Sequence, residues 1–287
     1  MANSSYPFRH DPRALSRGLY DRAKGLWGVA YALQLGVFGV GITLVFFAAS
    51  HWVGILLAAA LCLSVASEIV LLRFEAAKGI AEELLRKLDL RDSFGWGLDE
   101  AEMRDFLARS PSRLTEGLTT EDLGERYFAS GQSIGPERAL ENVQESAWWS
   151  KHLASRMVLW CAGAALVLLI GPIAVLVASI LATADPEKLS LITQVAVSVL
   201  MAGFTFGLLR LAFAYYSFSR ESDRAVVRAE SASRRLLAEG SVSLERALRV
   251  VQEYHLARAV APPIPSWLWR RNQDRLNRLW EQYRPGP

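Results

Sequence analysis

Cysteine is nearly absent: the 287 residues hold only Cys62 and Cys161, both inside apolar runs. That excludes a disulfide framework and a thiolate metal cluster, and both thiols are expected to act as small buried hydrophobes. Histidine is scarce as well. His10, His51, His152 and His255 are scattered, and none has a second ligand at helical spacing. The chain has no segment of strand-like alternation, no Walker loop, no dinucleotide glycine fingerprint and no nucleophile elbow. Asp and Glu are plentiful but fall on amphipathic helix faces, where solvation is their ordinary role. Neither an enzyme nor a metal- or cofactor-dependent protein is expected. A net charge of +3 is too small to point to a DNA or RNA duplex as partner. The polar start, Met1 to Pro12, has no apolar core followed by a small-residue cleavage site, so no cleaved signal peptide is expected.

What the chain does have is apolar length. Hydrophobic residues make up 52% of it, and the mean hydropathy is positive. Trp27 to Ala49 carries no charge and is long enough to cross the roughly 30 Å hydrocarbon core as a helix. Ser50 and His51 form a very short turn to a second span, Trp52 to Leu72. Met157 to Thr183 is a third span with Gly171-Pro172 inside it, and Ala184 to Lys188 turns into a fourth, about Leu189 to Phe218. The expected fold is an all-α membrane protein with four transmembrane helices in two tight hairpins. Its divisions are a cytosolic N-terminal helix (1–26), a first hairpin (27–74), a cytosolic helical linker (75–156), a second hairpin (157–218) and cytosolic C-terminal helices (219–287).

Arg and Lys flank the spans on one side only, and the two tight turns contain just Lys188. The positive-inside rule then puts both termini and the linker in the cytoplasm. Within the cytosolic part, residues 75–156 carry 11 bases against 16 acids, and residues 219–287 carry 13 bases against 8 acids. Opposite charge could draw these blocks together, or the second could face lipid headgroups or an anionic ligand; solvated helix faces are the plain alternative. Two charges interrupt the spans near their cytosolic ends: Glu68 in the second and Arg210 in the fourth. Each is either part of a headgroup-level pairing, Glu68 with Arg210 or Arg73, or a pore-lining and gating group. Gly203-x-x-x-Gly207 would let another helix approach closely.

Outside the spans the pattern is helical throughout. Arg13 to Leu26 forms a basic amphipathic helix with Leu15, Leu19, Ala23 and Leu26 on one face, lying on headgroups or, by default, packing on other helices. Phe74 to Leu90 continues span two and is broken by Gly95-Trp96-Gly97; Asp99 caps a helix through Leu107, and Ser110-Pro111-Ser112 ends it. Thr119 and Asp122 read as a capping pair before a short helix to Ala129. Span four overruns as Ser219 to Glu239, stopped by Gly240. Ser243 to about Arg258 is a further helix, and beyond Pro262-Pro263-Ile264-Pro265 a last one runs from Trp267 to Tyr283, with Leu276, Leu279, Trp280 and Tyr283 on one stripe.

The helix that begins at Pro136 links these parts. Proline suits the first helical position and Glu137 the positive end of the dipole. Leu140, Val143, Ala147 and Trp148 recur at helical spacing. Trp148 and Trp149 fit the height of a water–lipid interface, and Lys151 and Arg156 mark the cytosolic side.

Several of these pieces, in this order around four spans, resemble the four-transmembrane effectors associated with bacterial cyclic-oligonucleotide synthases in the anti-phage systems called CBASS. Leu19-Tyr20-Asp21-Arg22-Ala23-Lys24 is similar to the family's N-terminal Leu-Tyr-x-x-Ala-Lys. Ala81-Glu82-Glu83 through Asp89 and Trp96 loosely follows its pattern after span two. Gln144 to Leu153 reproduces the core of its Gln-x-x-x-x-Trp-Trp-x-x-x-Leu segment, and Ile264-Pro265-Ser266-Trp267 matches a Pro-x-x-Trp element. The polar residues usual between that Gln and the Trp pair are replaced here by Glu145, Ser146 and Ala147. The resemblance implies an oligomeric effector of the bacterial inner membrane, with no cofactor. A cyclic oligonucleotide second messenger would bind its cytosolic part and turn it to disrupting the bilayer. Such a ligand needs Arg or Lys with aromatic faces or polar edge-readers. Candidates are Gln144, Trp148 and Lys151 on the long helix and Trp267, Trp269, Arg270, Arg271 and Arg275 near the C-terminus; interfacial anchoring and a basic helix on headgroups are the alternatives. A membrane-anchored scaffold binding a protein partner, without pore activity, is the competing reading of the whole chain.

Overall fold

A computed structural model describes residues 11–47, 52–112, 114, 128–239 and 243–283. Among them there is no strand. In chain order the helices are α1 (Pro12–Phe46), α2 (Val53–Phe94), α3 (Glu100–Arg109), α4 (Pro136–Ala182), α5 (Pro186–Thr205), α6 (Leu208–Glu239), α7 (Leu244–Val260) and α8 (Ser266–Tyr283). Four stretches are long and apolar enough to cross a membrane: Pro12–Phe46, Val53–Phe94, Pro136–Ala182 and Pro186–Arg235. The Ser50-His51 turn, the Thr119–Asp122 capping pair and Gly240 lie outside the described residues.

One expected boundary inside a helix is not there. The amphipathic helix at 13–26 and the first span are one helix, since nothing between Leu26 and Trp27 breaks the ladder and Gly25 and Gly28 remain helical. The expected continuities are present: α2 runs on from the second apolar stretch, to Phe94 rather than Leu90, and α4 runs unbroken from Pro136 through the third. The opposite error occurs in the fourth span, expected as one helix. It is two, because Gly207 takes a left-handed φ of +59°. The Phe206 N–H bonds back to Ala202 O at 2.9 Å and the Gly207 N–H to Phe204 O at 3.0 Å, which closes α5 before α6 starts. Of the Gly203/Gly207 pair, then, only Gly203 serves close packing: a Cβ there would sit 3.4 Å from Leu168 Cβ. Gly207 serves the break. Gly207→Ala is therefore expected to cost about 1–2 kcal/mol through its left-handed backbone. Gly203→Ala, meeting only ordinary contact, should cost less; thermal unfolding of the two variants in the same lipid compares them.

By internal contact the chain divides into two units, one of Met1–Lys24, Glu75–Ser155 and Ser217–Pro287, the other of Gly25–Phe74 and Arg156–Tyr216. In the second unit Ser67 Oγ donates to Ala30 O at 3.2 Å, Leu63 lies against Gly36, and Phe38 meets Phe206 edge-on. Much of its apolar surface is open: Leu159, Val167, Leu181 and Phe213 are each about 70% exposed or more. In water such a surface would drive aggregation, whereas lipid tails solvate it. Cys161 is buried as expected, but Cys62 sits on the exposed side of α2.

The first unit has a conventional packed core. Leu15 and Leu19 of α1, Ala81, Leu84 and Leu88 of α2, and Met103 and Phe106 of α3 form one buried cluster. The apolar face of this basic segment of α1 thus packs on neighbouring helices, while Arg17 and Arg22 stay exposed. A capping box sets the start of α3: Asp99 Oδ1 accepts from the Glu102 N–H at 2.6 Å and Glu102 Oε2 from the Asp99 N–H at 3.3 Å. At the end of α2, Gly95 takes φ +75°. On α8 the buried stripe is Leu268, Asn272, Leu276 and Trp280, spaced four apart; Leu279 and Tyr283, expected on it, are exposed.

Candidate functional site

Two features of the first unit could carry chemistry. The first is a buried ionic network. Glu82 and Asp89 lie two turns apart on α2, so they share a face; His255 and Arg258 lie one turn apart on α7. Arg258 reaches both carboxylates, with Nε 3.5 Å from Glu82 Oε2 and Nη1 3.8 Å from Asp89 Oδ2. Its Nη2 donates to the Tyr20 hydroxyl of α1 at 3.3 Å. Nearby, Lys78 is buried and its Nζ donates to Ala261 O at 2.7 Å.

The protons in this network are displaced from their usual places. Burial pushes the Asp89 carboxyl up to about 7, although Arg258 and Arg13 pull it down. One of its oxygens, Oδ1, is buried with no hydrogen-bond partner among the described residues. Burial, helped by Arg258 and Arg86, pushes His255 down to about 3, so its ring is neutral at physiological pH. Burial also opposes the charge of Arg258, but Tyr20, Glu82, Tyr254 and Asp89 outweigh it and raise its pKa. Desolvation, the main effect at Tyr20, holds the phenol protonated.

Asp89 and His255 have opposite pH linkages. Between about pH 4 and 7 the folded chain holds a proton on Asp89 that the unfolded chain has released, so this group loses stability as pH rises. From about pH 3 to 6.5 the unfolded chain holds a proton on His255 that the folded chain lacks, so this group gains stability as pH rises. Folded and unfolded, the pair carries one proton over most of that range, and the two effects nearly cancel. His255→Gln should uncover the Asp89 effect and lose stability from pH 4 to 7. Asp89→Asn should do the reverse. Melting temperatures at closely spaced pH values would show the opposite slopes.

The second feature is a basic groove. Arg228, Ser231 and Arg235 on α6 and Arg246, Arg249 and Glu253 on α7 line it, at i, i+3 and i+7 of each helix, with Ala232 and Val250 beneath. Its volume is about 330 Å³. Four guanidiniums face one carboxylate. Arg228 pairs with Glu253, and Arg249 Nη2 lies 3.1 Å from Glu245. Among the described residues no ion pair engages Arg235 or Arg246. A roomier groove, about 550 Å³, is lined by Glu75, Glu83 and Arg109 and carries the wrong sign for a phosphate.

The site residues expected from sequence are dispersed. Gln144, Trp148 and Lys151 share one face of α4 but are taken up by helix packing. Gln144 Nε2 lies 3.5 Å from Glu230 Oε1, and Lys151 Nζ lies 2.6 Å from Asp223 Oδ1. Trp148 is buried among Trp280, His152 and Tyr283, with ring centroids 5.4, 4.4 and 6.0 Å away. It is a core residue rather than the interfacial anchor expected of it. Trp267, Arg270 and Arg271 are exposed at the start of α8, off its buried stripe. Glu68 and Arg210 are exposed on α2 and α6, and among the described residues neither pairs with the other or with Arg73. Sequence reading missed both the network and the groove. Arginines at i and i+7 before Gly240 (Arg228, Arg235) and at i and i+3 after it (Arg246, Arg249) were the available signal for the groove.

These residues define an all-helical, multi-pass membrane protein with a helical unit carrying a buried ionic network and a basic groove. Comparison with family models, curated proteins and solved structures finds no match to this chain.

Proposed function

We propose that this protein is a ligand-gated membrane effector of anti-phage defence. A cyclic oligonucleotide binds its cytoplasmic helical unit, and the oligomerised spans then permeabilise the bacterial inner membrane. The observation that carries this reading is the arginine groove, because α6, one of its walls, is also the second half of the fourth apolar stretch. A ligand held there touches the same helix that enters the bilayer. Guanidinium groups bind phosphate oxygens in paired hydrogen bonds and stack on flat bases, so arginines alone can supply both contacts a cyclic oligonucleotide needs. The arrangement of spans as two hairpins with both termini in the cytoplasm is supported by the near absence of bases from the two turns. The resemblance to CBASS-associated four-transmembrane effectors supports the class of ligand. Gating requires that the ligand bind the open assembly better than the resting one.

The direct test is equilibrium binding of cyclic di- and trinucleotides to the purified protein in lipid nanodiscs. One ligand is expected to bind far better than the rest, with an affinity that falls as salt is raised. A panel without any binder would instead favour a membrane-anchored scaffold for a protein partner.

A further inference from the structure

Glu68 and Arg210 interrupt the apolar spans, and both are exposed. Glu68 is exposed on α2, on a face that it shares with the exposed Leu61, Val65 and Leu72 and with the exposed Ser64 one turn before it. Arg210 is exposed on α6, beside the exposed Phe213. Among the described residues neither makes an ion pair. The two sit at one level of the same unit: Ser67, next to Glu68, bonds to Ala30 of α1, and Tyr31 of α1 lies within electrostatic reach of Arg210. The other charges of the unit lie at span ends, Arg73 and Arg156 on one side and Asp185, Glu187 and Lys188 at the start of α5 on the other. An ionised side chain that faces lipid at depth is costly, and the cost falls when an opposite charge meets it.

We propose that Glu68 of one copy pairs with Arg210 of the next copy in the membrane. Charge complementarity at equal depth selects a second copy of this chain as the occupant of both faces. The same pairing closes a two-fold dimer through two reciprocal bridges, or a ring of copies joined head to tail. The pairing rests on the chain spanning a membrane but not on ligand gating, since bare charges face lipid whether or not a ligand is bound.

The test uses reversed charges in differently tagged full-length chains, co-expressed and extracted with their lipid into polymer-bounded particles, without nucleotide. Wild-type copies are expected to co-purify. Glu68→Arg alone sets Arg against Arg210 of its neighbour, and Arg210→Glu alone sets two carboxylates together; each should lower co-purification roughly tenfold or more. Co-expressing E68R with R210E restores alternating opposite pairs between chains, and co-purification should return to the wild-type level. That rescue also shows that both variants insert. Single reversals that assemble like wild type would overturn the pairing, as would a mixture that assembles no better than either variant alone. Ligand-dependent leakage of the wild-type protein is a separate reading, so loss of the pairing and loss of the gating mechanism are told apart.

Discussion

Replacing Arg258 by alanine is expected to destabilise the helical unit by about 3–5 kcal/mol, the usual result of removing one member of a buried ion pair. The substitution leaves the half-buried Glu82 and the buried Asp89 with no counter-charge from α7 and removes the hydrogen bond to Tyr20. Most of the loss is a penalty on the groups left behind, so replacing Arg258, Glu82 and Asp89 together by apolar residues of similar volume should cost much less. The effect also depends on pH. Without the guanidinium the Asp89 carboxyl rises further above its present value of about 7, and protonation relieves part of the penalty in acid. Hydrogen exchange of α2 and α7 in the intact protein is the readout. Protection should fall roughly a hundredfold or more at pH 8 and by less at pH 6. Arg258→Lys keeps the charge but not the fork, and should fall between the two.

Reversing Arg235 and Arg246 together is expected to weaken cyclic-oligonucleotide binding by about a hundredfold or more. Two charge-assisted hydrogen bonds to phosphate are worth about 3–6 kcal/mol in total, and each reversal adds repulsion. These two arginines suit the test because no ion pair among the described residues depends on them. Helix content and melting temperature should stay near those of the wild type while the ligand's affinity collapses. Unchanged affinity would move the site out of the groove, back to the exposed Trp267, Arg270 and Arg271 on α8.

Four long apolar runs were enough to announce four helices able to cross a membrane, because a backbone in hydrocarbon has little choice but helix. Helix starts were equally legible at the Asp99 cap and at Pro136 in the first helical position. The break at Gly207 was not. Glycine is common within membrane helices, and its composition does not reveal the left-handed φ that separates α5 from α6. The ionic network was hidden for a different reason. Glu82 and Asp89 are far in sequence from His255 and Arg258, and each pair alone looks like an ordinary solvated helix face. Trp148 was misread because an indole just before an apolar run looks the same whether lipid or Trp280 receives it.

The most direct measurement is dye release from sealed liposomes carrying the purified protein, challenged with cyclic di- and trinucleotides one at a time. Release with one ligand, silence with the others, and loss of that release in the Arg235→Glu/Arg246→Glu protein are expected. Silence with every ligand from protein shown to be folded and inserted would contradict a ligand-gated membrane effector.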